Sequence, residues 1–195
     1  RDSSPKDDTH PQIHEEKNDA DLDAFVSRYI PLRDKNYAPN DLESVSGSTS
    51  VSEAGRTIFL RKEARNALWN MARDFEKNFS TPLVVISGYR SAAYQQRMWD
   101  LGKCTDTLCA PPGYSEHQLG LAIDVFDATT ESDYEKNARY RKYIAWLKPM
   151  LMNMAGTELP EMEYIDAYEV EPWHWRYLGV DLATKLKKLD MSYTE

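Results

Sequence analysis

The sequence predicts an α+β fold, a single domain in which helices stand before and after the strands of a small sheet. Two segments carry most of this prediction. Apolar residues recur at steps of three and four through residues 61–79, which indicates an amphipathic helix, and an apolar, β-branched run at residues 82–87 indicates a buried strand. The 195 residues, 41% of them hydrophobic, suffice for one domain with a substantial core.

Residues 1–24 differ in composition from the rest of the chain. They contain eight acidic and three basic residues, and so account for most of the net charge of −8. A polar segment without an apolar period cannot bury enough surface to fold by itself. We therefore predict an acidic, disordered tail or linker over residues 1–24, with His10 and His14 solvated in it, and a folded domain over residues 25–190.

The remaining elements are predicted in chain order. Prolines and a Ser/Gly-rich run make residues 21–55 loop and short helix. Gly88 ends the buried strand, and Gly120 permits a bend or bulge in a later strand. The other predicted elements are a helix over residues 92–101, a strand over 118–126, a helix over 133–154 that Pro149 should break or kink, strands over 164–169 and 173–178, and a last helix capped by Asp181 and ending near Leu189.

Charge and hydropathy exclude two kinds of partner. The chain has no basic stripe of the kind that binds nucleic acid. It also has no run of about 18 apolar residues that would mark a membrane span. We therefore expect neither a nucleic-acid partner nor a transmembrane segment in this chain.

Two of the four histidines stand in unusual surroundings, His117 in SEHQLGLAID and His174 in EPWHWRY. A catalytic zinc site typically takes three His, Asp or Glu ligands and keeps one position open for water. His117, Asp124 and His174 are the candidate ligands. His117 and Asp124 are seven residues apart and would lie on opposite faces of an ideal strand, so a loop or a bulge near Gly120 is required.

Two charged residues would complete such a site. Glu171 lies three residues before His174, and an irregular backbone at Pro172 would let its carboxylate lean toward an activated water and take the proton. Arg90 follows the predicted buried strand, where a fixed guanidinium could hold a substrate carboxylate or a developing oxyanion. Trp173 would wall the site and limit the access of water.

Residue chemistry alone leaves other interpretations open. A histidine beside tryptophans is often a packed structural residue. Asp124 lies in an apolar strand and needs a partner, because a buried carboxylate is costly unless it is paired or bound to a metal. Arg90 could be that partner in a metal-free domain, so the spacing of these residues does not decide between an ion pair and a zinc site.

The cysteines, Cys104 and Cys109, are separated by four residues. In an oxidising compartment they could close a small loop, with a stabilisation of about 2 kcal/mol from chain entropy. In the cytosol they would remain free thiols. The spacing by itself is compatible with both states.

Three motifs in the same order resemble the VanY-like zinc D-alanyl-D-alanine carboxypeptidases, including their LdcB-type L,D-carboxypeptidase relatives. The pattern SxHxxGxAxD over residues 115–124 and the stretch EPWHWRY over residues 171–177 carry the resemblance. SGYRS over residues 87–91, followed by Gln95, is similar to the family's arginine motif. Tyr37-x-Pro39-x-Asp41-Leu42 is similar to its N-terminal segment, and the likeness runs from about residue 29 to residue 179.

The resemblance implies a fold built on a small antiparallel sheet and a role for each motif residue. One zinc ion would be held by His117, Asp124 and His174. Glu171 would act as general base and then as general acid, and Arg90 would stabilise the tetrahedral intermediate. The predicted substrate-binding residues are Ser115, Gln95, Tyr89 and Trp173.

The resemblance also implies a function outside the cytoplasmic membrane. The enzyme would remove the terminal D-alanine from peptidoglycan stem peptides, with D,D-cleavage favoured over L,D-cleavage. We expect a monomer in the periplasm or at the cell surface, with any anchor lying outside this chain. That location favours a disulfide between Cys104 and Cys109.

Alternatives remain in the substrate and in the class of function. Residues 103–110 and 154–162 depart from the family pattern near the expected mouth of the site, which leaves the substrate preference open. A cross-link endopeptidase would use the same chemistry. A non-catalytic, zinc-containing peptidoglycan-binding module is a further alternative, although Glu171 argues against it because binding alone needs no general base.

Overall fold

Three short strands precede the first helix, and helices and short strands follow one another after it. The computed structural model describes residues 18–104, 109–126, 136–154 and 173–189. The elements in chain order are β1 (Leu42–Ser44), β2 (Val51–Ser52), β3 (Phe59–Arg61), α1 (Lys62–Phe79), β4 (Leu83–Ser87), α2 (Ala92–Asp100), a 3-10 helix (Glu116–Leu119), β5 (Ala122–Val125), α3 (Ala138–Met154), β6 (His174–Arg176) and α4 (Val180–Leu189).

The helix α1 forms where the sequence has a continuous apolar face, as predicted. It ends at Ser80, which adopts a left-handed φ of 53° and donates its N–H to the carbonyl oxygen of Glu76. Phe75 packs edge-on against Tyr143 and Trp146 of α3 and so joins the two helices. The buried side chains of α1 are Ala64, Leu68, Met71, Ala72 and Phe75.

The main sheet has four strands in the order β2-β4-β5-β6. β2 runs parallel to β4, whereas β4, β5 and β6 are antiparallel neighbours. β1 and β3 form a separate antiparallel pair. Leu83, Val85 and Val125 are buried in one core with Phe75 of α1, because the central strands are largely apolar. The predicted α+β fold with a small antiparallel sheet is confirmed.

The predicted strand over residues 118–126 is wrong in its first part. Gln118 lies in the 3-10 helix, and Gly120 reverses the chain with a φ of 68° before β5 begins. The Gln118 side chain is buried and donates to the carbonyl oxygens of Lys35 and Tyr37, while its Oε1 accepts from Gly113 N–H. The two bonds to Lys35 and Tyr37 are long-range, so a local apolar pattern cannot indicate the turn that they hold.

The C-terminal elements differ from the prediction at their ends. α3 continues as a helix through position 149, so the proline there does not end it. β6 is limited to His174–Arg176, and Asp181 lies in the first turn of α4 rather than at its cap. The predicted strand over residues 164–169 lies outside the described residues. Among the described helices none has both the length and the apolar character needed to cross a membrane.

Residues 18–24 pack against the domain, although the sequence placed them in an acidic tail. Asp19 is buried, and its carboxylate accepts from the backbone N–H groups of Arg33 and Asp34 at 3.0 and 2.8 Å. Ala24 is buried in the main core. The packed part of the chain therefore begins before the predicted boundary at residue 25, and the rest of the predicted tail lies outside the described residues.

Candidate active site

The pairing of β5 with β6 brings two predicted ligands together. Asp124 and His174 are direct partners in the antiparallel ladder. On its other side β5 pairs with β4, where Ser87 stands opposite Asp124 next to a register shift. The strand register therefore places Asp124 between the end of β4 and His174.

The 3-10 helix brings the third predicted ligand, His117, to the same place. The N–H of His117 donates to Ser115 Oγ at 3.3 Å, which caps the start of this helix. Arg90 N–H donates to the carbonyl oxygen of His117 at 3.1 Å, which ties the helix to the end of β4. The 3-10 helix and the turn at Gly120 supply the irregular backbone that the seven-residue spacing required.

The side chains of His117, Asp124 and His174 converge on one small volume. Asp124 Oδ1 lies 3.2 Å from His117 Nε2 and 3.1 Å from His174 Nδ1. One possible ligand atom from each residue lies within 4.8 Å of the others, so the group could hold a metal ion. Ligand atoms at about 2.0 Å around a tetrahedral zinc ion are about 3.3 Å apart, and two nitrogens with one carboxylate oxygen are a common zinc donor set. The residues fit zinc.

The ring of His117 is oriented for a metal by the backbone. Its Nδ1 lies 2.8 Å from the carbonyl oxygen of Gly88, which can only accept. Nδ1 therefore carries the ring hydrogen and Nε2 keeps the lone pair that faces Asp124. Ligating histidines are typically held in this way, with the second ring nitrogen donating to a carbonyl or carboxylate.

Arg90 pairs with Asp124 without competing for the ligand oxygen. Arg90 Nη2 donates to Asp124 Oδ2 at 2.6 Å, whereas the histidines meet Oδ1. Arg90 Nε also donates to Ser87 Oγ at 2.9 Å. The ion pair that the sequence offered as a metal-free alternative thus coexists with the ligand group. The Arg90 side chain remains 28% exposed, so its guanidinium is fixed at one end and open to solvent.

Burial and neighbouring charges together shift the pKa values of the three predicted ligands. Burial alone would raise the pKa of Asp124, but His117, His174 and Arg90 hold it well below its usual range. Burial and the positive charge of Arg90 lower the pKa of His117. Burial alone would lower the pKa of His174, but its hydrogen bonds with Asp124 and Glu116 raise that pKa to about 10. Because a ligating histidine must be neutral, metal binding at His174 would release a proton.

Two residues of the site, Glu116 and Arg176, were not predicted from the sequence, although both stand inside the quoted motifs. Glu116 Oε2 lies 2.9 Å from His174 Nε2, and Glu116 Oε1 accepts from Arg176 Nη1 at 3.0 Å. Burial alone would raise the pKa of Glu116, but His174 and Arg176 lower it to about 2. The sequence does contain one signal for Arg176. Residues two apart on a strand share a face, and Arg176 follows His174 at that spacing.

Two predicted substrate-binding residues have clear structural contacts. Ser115 is buried, and its hydroxyl caps the 3-10 helix. Gln95 is 2% exposed, and its Nε2 donates at 2.6 Å to the carbonyl oxygen of Ala110, while its Oε1 has no hydrogen-bond partner among the described residues. Their contact with substrate stays a prediction.

The other two predicted substrate-binding residues, Tyr89 and Trp173, directly precede Arg90 and His174 in the sequence. Tyr89 is partly buried, its N–H donates to the carbonyl oxygen of Phe59 at 2.8 Å, and burial raises the pKa of its phenol. Trp173 packs against the core, and its carbonyl oxygen accepts from Val125 N–H at 2.9 Å. Glu171, the predicted general base, lies outside the described residues.

Cys104 and Cys109 are joined by a disulfide, with their Cα atoms 5.2 Å apart. The predicted pairing is present, and the alternative of two free thiols is wrong for this structure. Cys109 precedes Ala110, the residue whose carbonyl oxygen accepts from Gln95. The disulfide therefore lies at the start of the segment that leads to Ser115 and His117.

Comparison with known proteins identifies relatives over most of the chain. A profile of the family VanY, D-alanyl-D-alanine carboxypeptidase, matches residues 57–180. YodJ of Bacillus subtilis (strain 168) is 30% identical over 189 residues, which cover 92% of this chain and 68% of YodJ. A D-alanyl-D-alanine carboxypeptidase of Enterococcus faecium is 28% identical over 134 residues, which cover 67% of this chain and 41% of that enzyme.

Solved structures share the fold. The LdcB LD-carboxypeptidase superimposes with a TM-score of 0.70 at 28% identity, over 87% of this chain and 82% of LdcB. The D,D-pentapeptidase VanY from a VanB-type resistance cassette, in complex with Zn(II), superimposes with a TM-score of 0.64 at 23% identity, over 88% of this chain and 96% of VanY. The predicted family, fold and enzyme class are confirmed by these matches. The chain belongs to the VanY family of D-alanyl-D-alanine carboxypeptidases.

Proposed function

We propose that this chain is a zinc-dependent carboxypeptidase that removes the terminal D-alanine from peptidoglycan stem peptides. The observation that carries the proposal is the convergence of His117, Asp124 and His174 beside the partly exposed Arg90. Three protein ligands with a free fourth position are typical of catalytic rather than structural zinc. When bound, the zinc ion would supply Lewis-acid activation of water and of the scissile carbonyl.

Arg90 would stabilise the negative charge that develops on the carbonyl oxygen. Its hydrogen bonds to Ser87 and Asp124 fix the guanidinium before substrate arrives, so little reorganisation is needed during the reaction. The 28% exposure of its side chain leaves N–H groups that can face the substrate. A fixed donor of this kind typically contributes about 10²–10³-fold to kcat.

Glu171 would move the proton. We propose that its carboxylate takes a proton from the attacking water and returns it to the amine of the departing D-alanine, which balances the hydrolysis. Proton transfer by a positioned side chain contributes about 10²–10⁴-fold to the rate. Glu171 stands three residues before His174, and the irregular backbone expected at Pro172 would let its carboxylate reach the ligand group.

The proposed substrate is the D-Ala–D-Ala end of a pentapeptide stem. The family description and the Enterococcus faecium relative support this choice, since both are D-alanyl-D-alanine carboxypeptidases. A second candidate is the L,D bond at the end of a tetrapeptide stem. It is favoured by the likeness to the LdcB LD-carboxypeptidase, at 28% identity and a TM-score of 0.70.

The proposed place of action is outside the cytoplasmic membrane, where stem peptides are found, and the proposed active form is a monomer. The disulfide between Cys104 and Cys109 supports this location. Disulfides persist in oxidising compartments and are rare in the cytosol.

Mass spectrometry of purified muropeptides tests the proposal. Pentapeptide and tetrapeptide stems are supplied together to the zinc-loaded protein, with a chelator-treated sample and a Glu171→Ala variant as controls. We expect the pentapeptide to lose one alanine with the active protein and with neither control, while the Glu171→Ala variant keeps its zinc. Loss of alanine from the tetrapeptide instead would assign L,D-specificity.

Failure to trim either stem would contradict the carboxypeptidase proposal. Cleavage of cross-linked dimers under the same conditions would then identify an endopeptidase. Binding of muropeptides without any cleavage, unaffected by Glu171→Ala, would identify a binding module.

A further inference from the structure

Behind the predicted ligand His174, polar groups form a continuous chain of hydrogen bonds. Arg176 is buried and donates through Nη2 to the carbonyl oxygens of Leu22 and Ala24, at 3.0 and 2.9 Å. Through Nη1 it donates to Glu116 Oε1 at 3.0 Å. Glu116 Oε2 lies 2.9 Å from His174 Nε2. The N-terminal segment is thereby connected to the ring of a predicted ligand.

The contacts of Arg176 determine the role of each oxygen of Glu116. A guanidinium stays protonated and has only donors, so Oε1 must accept from it. An ion-paired carboxylate has no hydrogen to give. The ring nitrogen Nε2 of His174 is therefore the donor in its contact with Oε2.

The opposite nitrogen of His174 faces the ligand group. Nδ1 lies 3.1 Å from Asp124 Oδ1, the same oxygen that His117 approaches. A neutral imidazole has one N–H and one lone pair. With the hydrogen on Nε2, the lone pair is on Nδ1 and points to where a metal would bind.

We propose that Glu116, held in place by Arg176, is the positioning residue that keeps the hydrogen of His174 on Nε2 and leaves Nδ1 free for the metal. This inference rests on the proposed zinc site. Glu116 itself does not touch the metal or the substrate in this account. The two predicted histidine ligands then differ in their supports, since His117 donates to the backbone carbonyl of Gly88 and only His174 depends on a side chain.

The substitution Glu116→Gln tests the proposal with almost no change of shape. An amide has one oxygen and one NH₂ group, and the oxygen must face Arg176, which can only donate. The NH₂ group then faces His174 Nε2 and places a donor against a donor. To avoid this conflict the ring must move its hydrogen to Nδ1, where it blocks the metal.

The matched control is Glu63→Gln. Glu63 Oε1 accepts from the hydroxyl of Tyr177 at 2.6 Å, and an amide oxygen can accept the same bond. Tyr177 directly follows Arg176, so the control makes the same chemical change close to the hydrogen-bond chain.

Zinc affinity, measured by competition with a chromophoric chelator, is the first readout. Loss of a side chain that orients a ligating histidine typically weakens metal binding by about 10–100-fold. We expect a loss of that size in Glu116→Gln and wild-type affinity in Glu63→Gln. Equal affinity in all three proteins would overturn the positioning role while leaving the proposed zinc site intact. No zinc binding by the wild type would overturn both.

The second readout is the ring tautomer of His174 in zinc-loaded wild-type protein, from long-range ¹H–¹⁵N NMR. We expect a hydrogen on Nε2 and metal on Nδ1. Metal on Nε2, or no hydrogen there, would overturn the proposal. This measurement needs no variant, so it can still overturn the proposal if Glu116→Gln fails to fold.

Discussion

The predicted metal ligands come from two regions that hold their side chains by different means. Asp124 and His174 stand opposite each other in the β5–β6 ladder, where backbone pairing sets their separation. His117 belongs to the irregular segment 109–120, whose geometry depends on side chains that bond to its backbone. Sheet register therefore positions Asp124 and His174, whereas individual side-chain contacts position His117.

The irregular segment is held at both ends by buried amides. The carbonyl oxygen of Ala110 accepts from Gln95 Nε2 and from Trp99 Nε1. Gly113 N–H donates to Gln118 Oε1. A ladder loses little when one side chain changes, whereas the single amide of Gln118 bonds to three backbone groups. Single substitutions should therefore disturb His117 more selectively than the ligands on the strands.

The largest expected effect comes from the sheet, through Asp124→Asn. The change removes the anionic oxygen that both histidines approach and leaves Arg90 without its carboxylate. We expect loss of stoichiometric zinc and activity at the level of chelator-treated protein, measured by metal analysis and D-alanine release. Asp74→Asn, an exposed partner of Lys77, is the control and should behave as wild type. Retention of zinc by Asp124→Asn would show that this carboxylate is not a ligand.

In the irregular segment the largest effect is expected from Gln118→Ala. Gln118 is 1% exposed and makes three hydrogen bonds to backbone groups of Lys35, Tyr37 and Gly113. At about 1 kcal/mol for each bond, the free energy of unfolding should fall by about 3 kcal/mol. Zinc should also bind more weakly, because the 3-10 helix that carries His117 loses its anchor.

Urea denaturation with a zinc titration measures both effects of Gln118→Ala. The matched control is Gln96→Ala, since Gln96 is exposed and bonds only to Asp100 within α2 among its described contacts. Stability equal to that of the control would mean that backbone contacts alone hold the segment, which would remove the contrast with the sheet.

A smaller effect is expected from removing the disulfide in a Cys104→Ser/Cys109→Ser variant. Closing so short a loop contributes about 2 kcal/mol by chain entropy. The variant should melt at a lower temperature and should show a raised KM with little change in zinc affinity, because the start of the segment that leads to Ser115 is released. The chain has no other cysteine, so a reducing agent should affect the wild type and leave the variant unchanged. An unchanged melting temperature would contradict this expectation.

The smallest expected effect is that of Ser115→Ala. The Ser115 hydroxyl caps the 3-10 helix, and loss of such a cap costs about 1 kcal/mol. If Ser115 also contacts substrate, as predicted from the sequence, KM should rise while zinc affinity stays the same. Steady-state kinetics beside thermal denaturation separate the two roles. Lower stability with unchanged KM would limit Ser115 to capping.

The same contrast explains what could be predicted from the sequence. α1 and β4 were predicted nearly to the residue because their apolar periods are local signals. The 3-10 helix was mistaken for strand because its anchor, Gln118, bonds to Lys35 and Tyr37, which are 83 and 81 residues away. Pattern analysis over short windows cannot detect such contacts.

The candidate site likewise contains residues that could be predicted from the sequence and residues that could not. His117, Asp124, His174 and Arg90 were predicted from residue types and a family resemblance, and the structure brings them together. Glu116 was missed because its contacts in the cluster are with residues 58 and 60 positions away, His174 and Arg176. The packing of Asp19 was missed for a similar reason, since a single carboxylate that caps two backbone N–H groups leaves no periodic pattern.

The most direct test of the zinc centre is a crystal structure with anomalous data collected at the zinc edge. We predict one strong peak at about 2.0–2.2 Å from His117 Nε2, Asp124 Oδ1 and His174 Nδ1. A zinc-loaded crystal without a peak at that position, or with the metal bonded to the opposite nitrogen of His174, would contradict the account.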